Sequence, residues 1–138
     1  MSTQKRYAPI IDKLRNAGLR PTRQRIALGE LMFRGEDRHV SAEMLHNEAQ
    51  KARVSVSLAT VYNTLHQFTQ AGLLREIAVE AGRSYFDTNT SDHHHFYFEN
   101  DGHLEDVKSD EVVVSSLPTP PRGARISRVD VVIRVSED

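Results

Sequence analysis

Apolar residues recur at helical spacing through the first half of the chain and at shorter, alternating spacing through the second. "YAPIIDKLRNAGLR" carries Ile10, Ile11, Leu14 and Ala17 on one helical stripe and closes on Gly18, which predicts a helix. "PTRQRIALGELMFRG" predicts a second: Pro21 bars helix before it, Thr22 caps it, Gly35 stops it, and Ile26, Leu28, Leu31 and Met32 face a core. "HVSAEMLHNEAQKARV" predicts a third, capped by Ser41. "SLATVYNTLHQFTQAGLL" predicts a fourth, capped by Ser57 and ended at Gly72. "REIAVEAGRSYFD" then reads as two short strands around Ala81-Gly82. Helices followed by a hairpin describe a winged helix, a variant of the helix-turn-helix.

After Asp87 the pattern changes. "TNTSD" is a polar hinge, and "HHHFYFE" and "GHLEDV" predict two strands around Asn100-Asp101-Gly102. "SDEVVVSSL" stays open between a strand, favoured by its valines, and a short helix capped by Ser109 or Asp110. "PTPPRG" is a stiff linker and "ARISRVDVVIRV" a final strand. The predicted fold is α+β: a winged helix over residues 1–88 and a small α/β unit over residues 89–138. A unit of about 50 residues makes too small a core to stand easily alone, so it is expected to pair with a second chain as a homodimer.

Composition narrows the chemistry. Cysteine is absent, which excludes disulfides, thiolate catalysis and every cysteine-based zinc site. No apolar run reaches membrane-spanning length and the start "MSTQKRYAPIID" is too polar for a signal peptide, so a cytoplasmic protein without a membrane partner is expected. The net charge of −1 hides an asymmetry: residues 1–88 hold 13 Lys and Arg against 9 Asp and Glu, residues 89–138 hold 5 against 10. A basic half suits phosphates, and an acidic, histidine-bearing half suits a cation.

On the fourth helix, Leu58, Val61, Leu65 and Phe68 share the core side. Ala59, Thr60, Asn63 and Gln67 lie opposite, with Tyr62 and His66 at the flanks. That face is small, polar and uncharged. On an arbitrary helix it is simply solvated, but it also suits a major groove, where Ala and Thr methyls meet a thymine methyl and Asn bonds adenine. Lys5, Arg6, Lys13, Arg15, Arg20, Arg23 and Arg25, with Arg83 at the wing tip, add phosphate-seeking charge.

In the second half, His93 and His95 share one strand face and His94 the other. Imidazoles suit Zn, Fe or Mn in mixed sites, or haem iron. Phe96, Tyr97 and Phe98 would pack a porphyrin or fill a core. No H-E-x-x-H, phosphate loop or nucleophile elbow occurs, which leaves a metal-dependent enzyme or a haem-storage protein as remote readings.

"GLRPTRQRIAL", "HVSAEMLH", "VSLATVYNTLHQFTQAGLL" and "GRSYFD", in this order and spacing, resemble the ferric uptake regulator family of bacterial metal-responsive transcription factors. The histidine triplet without a following cysteine pair is similar to the iron response regulator branch, whose members respond to haem. The resemblance implies a winged helix plus a C-terminal dimerisation domain, and AT-rich operator DNA bound as a homodimer or higher oligomer. It implies that Arg20 enters the minor groove and Tyr62 meets a thymine, with Ser57, Ala59, Thr60 and Asn63 completing the DNA face. The family usually has arginine where Asn63 stands, which moves the favoured base from guanine towards adenine.

The same resemblance implies a divalent metal site of His39, Asp87, His95 and Asp106 for Zn, Mn or Fe, with His93 the alternative to His95 and Glu105 to Asp106. A second family site needs a histidine where Val129 or Asp130 stands, so it is incomplete. Haem is expected at His93, His94 and His95; His46 and His66 are further candidates for a second haem, against the reading that each lies on a helix surface. The implied function is a regulator, mainly a repressor, of iron homeostasis and haem biosynthesis genes. It would be active when iron is limiting and inactivated by haem. The alternative is a metal-only repressor.

Overall fold

The structure is a computed structural model that describes residues 3–80 and 82–137, with side chains from Arg6 onward. Ala81 of the predicted wing turn and the Lys5 side chain lie outside the described residues. The chain divides into two compact units, residues 1–90 and 91–138. Among the described residues, no helix is long and apolar enough to cross a membrane.

The first unit holds helices α1 (Thr3–Asn16), α2 (Arg23–Phe33), α3 (Ala42–Lys51) and α4 (Leu58–Gln70). Strands β1 (His39–Val40), β2 (Arg75–Glu80) and β3 (Arg83–Asp87) form an antiparallel sheet in the order β1-β3-β2. This is a winged helix. The helices start where their caps direct: Thr22, Ser41 and Ser57 are all extended, and each side-chain oxygen accepts a first-turn N–H. Helices α1 and α4 end alike. Gly18 and Gly72 turn left-handed at φ +80° and +83°, which lets Leu19 and Leu73 donate N–H groups back to Leu14 and Phe68. Helix α3 repeats the bond from Val54 to Ala49, with Arg53 at φ 59° in the turn.

The core gathers Leu14, Leu28, Met32, Leu45, Leu65 and Phe68, all fully buried. Ile26 and Leu31 pack against it only partly buried. One reading is corrected here. Leu58 is exposed, because the first turn of α4 overhangs the core, and Thr64 takes the buried position on the stripe instead. The residues before the Ser41 cap carry an element that the spacing does not predict: His39–Val40 form β1, which pairs with β3.

The second unit is a three-stranded sheet of β4 (His94–Phe98), β5 (Leu104–Val107) and β6 (Val132–Val135). Its order is β5-β4-β6, with β5 antiparallel and β6 parallel to β4. "SDEVVVSSL" yields only a single 3-10 turn over Ser109–Glu111, and Val113 beyond it stands 82% exposed. No neighbouring strand pairs with those valines among the described residues, so their intrinsic preference has nothing to bond. The last strand is also shorter than the alternation predicts. It pairs with the four residues from His95 to Phe98 and starts after the His94 ring has taken the Val131 N–H.

Candidate nucleic-acid interface and metal-ligating side chains

Helix α4 buries Val61, Thr64, Leu65 and Phe68, which leaves Ala59 and Asn63 exposed on the opposite side. Ser57 Oγ accepts the Thr60 N–H at 3.1 Å, and its hydroxyl donates to Thr60 Oγ1 at 3.0 Å. Arg25 Nε donates to Gln67 Oε1 at 3.2 Å, which orients the Gln67 amide and leaves its NH2 to donate elsewhere. The Asn63 side chain bonds to no described residue and retains both donor and acceptor, the pair a bidentate adenine contact requires. Arg25 Nη1 also donates to the Arg20 carbonyl at 2.9 Å, which fixes the backbone from which the exposed Arg20 side chain departs.

Tyr62 donates its hydroxyl to Glu43 Oε1 at 2.8 Å. That bond to a carboxylate, with some burial, holds the phenol above its ordinary value. Sequence reasoning missed Glu43. An acid in a first helical turn reads as a dipole partner, and nothing in the spacing links it to Tyr62. The other two histidines have separate surroundings. His46 Nε2 donates to the Val56 carbonyl at 3.2 Å, whereas His66 packs edge-on to Phe86 and lies 3.6 Å from Glu76.

The candidate ligand side chains sit in pairs fixed by sheet register. In the first unit His39 is directly opposite Asp87 across β1 and β3. Two bonds lock that register: Arg38 N–H donates to Thr88 Oγ1 at 2.8 Å and Thr88 N–H to the Arg38 carbonyl at 2.9 Å. Asn89 N–H donates to Asp87 Oδ1 at 2.9 Å. The missed strand β1 is therefore what brings His39 to Asp87.

In the second unit His95 is opposite Asp106. His93 and His95 each place Nε2 3.4 Å from the same oxygen, Asp106 Oδ1, and their ring centroids are 4.5 Å apart. Both imidazoles are buried, while Asp106 is half exposed. His93 Nδ1 is 2.7 Å from the Ser91 carbonyl. A carbonyl only accepts, so that nitrogen carries a proton, and Nε2 is the nitrogen through which the ring could ligate a metal. His94 lies on the other face, where its Nδ1 accepts the Val131 N–H at 3.1 Å. The triplet is thus divided: two imidazoles converge on one carboxylate and the third holds the start of β6. Glu105 turns away from Asp106 and lies 3.6 Å from His103. Imidazole nitrogens with carboxylate oxygens suit Mn, Fe or Zn, so these side chains fit a divalent ion.

The fold and these side chains define a winged-helix protein followed by a small sheet that carries imidazole and carboxylate groups able to hold a metal ion. The model of the ferric uptake regulator family matches residues 16–133, and the chain belongs to that family. It is 40% identical over 81 residues to the ferric uptake regulation protein of Cupriavidus metallidurans. That match covers 59% of this chain and 57% of the relative, less than two thirds of its length. The ferric uptake regulator from Pseudomonas aeruginosa, solved with manganese, is similar at 27% identity and a TM-score of 0.70, over 93% of this chain and 97% of that one. The Vibrio cholerae ferric uptake regulator gives 25% identity and a TM-score of 0.72 over 91% and 98%.

Proposed function

We propose that this chain is a DNA-binding transcriptional regulator of iron homeostasis, mainly a repressor, whose grip on AT-rich operator DNA is set by a divalent metal ion. The observation that carries the reading is α4: its apolar stripe is buried and its opposite face presents Ala59 and an uncommitted Asn63. Arg20, Ser57, Thr60 and Tyr62 surround that face. Asn63 reads adenine, Ala59 and the Thr60 methyl meet thymine methyls, and Arg20 reaches the narrow minor groove of an AT-rich site. Val114, Leu117, Ile126 and Val129 are exposed on the second unit and support burial against a second copy.

By the resemblance, the ligands of the ion would be His39 and Asp87 of the first unit and His95 and Asp106 of the second, with His93 as a further ligand beside Asp106. Bound there, it supplies two positive charges that offset the carboxylates. Ser91 fixes the His93 tautomer, and Asn89 orients Asp87. Selection from a random duplex library with manganese present tests the reading. The chain should enrich AT-rich inverted repeats, and Asn63→Arg should move the preference at one position from adenine to guanine. Recovery of sequences without a common half-site removes α4 as a base reader.

A second reading, inactivation by haem, draws on the resemblance of the triplet and on the buried Nε2 atoms of His93 and His95. Haem would compete with the ion for the same nitrogens. Ferric haem titrated into the metal-free chain should give a saturable absorption shift that manganese suppresses. A shift indifferent to manganese and to triple replacement of His93, His94 and His95 by Ala rejects it.

A further inference from the structure

Between the start of α2 and the outer side of α4 lies a cavity of about 300 Å³ lined by Thr22, Gln24, Arg25, Thr60, Thr64 and Gln67, with Asn63 at its rim. No carboxylate lines it. Arg25 is its one charged group and is already aimed, since Nε is held by Gln67 and Nη1 by the Arg20 carbonyl. The bond from Arg25 turns the Gln67 oxygen towards the guanidinium and leaves the NH2 group as a donor. Helix α2 opens here with Thr22 Oγ1 spent on the Arg25 N–H, so the earlier first-turn N–H groups have no helical partner. Thr64 supplies the independent sign. The residue is 4% exposed, it lines the cavity, and its hydroxyl bonds to no described residue. The hydroxyl therefore opens on the cavity and can donate to an acceptor seated there.

We infer that this cavity seats one backbone phosphate of bound duplex DNA, gripped by the Arg25 guanidinium, the Thr64 hydroxyl, the Gln67 amide and the first turn of α2. The inference rests on the DNA-binding reading above and adds a contact beside the base-reading face. A phosphate offers several acceptor oxygens and negative charge, the complement of this donor set. A phosphate held beside Asn63 would fix the register of α4 in the groove, and sequence would be read elsewhere.

The test is duplex affinity across a salt series, on an AT-rich inverted repeat and on random sequence, for the full chain and three variants. Arg25→Gln should weaken both duplexes about tenfold per protomer. It should also flatten the slope of log affinity against log salt by about 0.9 per protomer. Arg25→Lys should keep the slope, and Thr64→Val should weaken both duplexes a few-fold with the slope unchanged. Circular dichroism confirms that each variant is folded. An unchanged slope in Arg25→Gln, or a loss confined to one sequence, overturns the phosphate seat while leaving DNA binding intact. A wild-type chain with no salt-dependent DNA binding overturns the seat together with the reading it rests on. Inorganic phosphate provides the other arm: if it shifts the Thr64 and Gln67 signals in nuclear magnetic resonance while Arg25→Gln leaves the DNA slope untouched, the cavity is a small-anion site and the proposal fails.

Discussion

Ser57 caps α4 and, on the proposed function, also borders bound DNA, and one substitution series separates the two. Its Oγ caps α4 through the Thr60 N–H, and its exposed position places it beside the DNA face. Ser57→Ala removes the acceptor and leaves that N–H to water, a loss of about 1 kcal/mol. In a domain of 60–100 residues, 1 kcal/mol lowers Tm by about 4–8 °C. Ser57→Gly should cost only a few tenths of a kcal/mol. Ser57→Asp keeps a capping oxygen and adds a charge that the helix N-terminus favours, so its Tm should match wild type. On the proposed function the same charge would face the phosphates of bound DNA, so Ser57→Asp should bind AT-rich and random duplexes more weakly. Thermal unfolding at the helical circular-dichroism band reads the first unit, since all four α-helices lie there. Anisotropy of a labelled duplex reads binding. Equal Tm for Ser57→Ala and wild type would refute the cap, and full DNA affinity in Ser57→Asp would refute the placement of α4 against DNA.

Further outcomes follow from the other sites. Asp106→Asn should lower manganese affinity by at least tenfold, as measured by calorimetry, because two imidazoles converge on that carboxylate. Glu43→Gln should bring the Tyr62 phenol down towards its ordinary value in an ultraviolet pH titration, since the bond to Glu43 is the largest cause of its elevation. On the β4–β5 hairpin, the bond to Asp101 raises His103, Glu105 adds to it, and His103 lowers Asp101. The stabilising effect of His103 is full below the unfolded imidazole value of 6.5 and is lost as pH rises through its raised value. That of Asp101 is present above 3.8 and is lost as pH falls through its lowered value. Asp101→Asn should therefore shift the His103 proton resonance to titrate at lower pH.

The caps and stops were legible because each acts locally. Thr22, Ser41 and Ser57 each bond three residues onward, and Gly72 needs only its own φ. The placement of His93 and His95 on one face and His94 on the other follows from strand alternation alone. What failed was non-local. The pairing of His39–Val40 with β3, the bond from Glu43 to Tyr62 and the capture of Gln67 by Arg25 span 19 to 48 residues, and no periodicity encodes them. The exposed valines after Ser109 failed differently, since their β preference has effect only where a neighbouring strand offers a ladder.

The most direct measurement is the affinity of the full chain for an AT-rich inverted repeat, with manganese and after its removal by chelator, in wild type and in a variant carrying Asp87→Asn and Asp106→Asn. The account predicts strong binding with manganese, a clear loss on chelation, and a variant that stays weak in both conditions. Affinity that is equal with and without metal in wild type would contradict it.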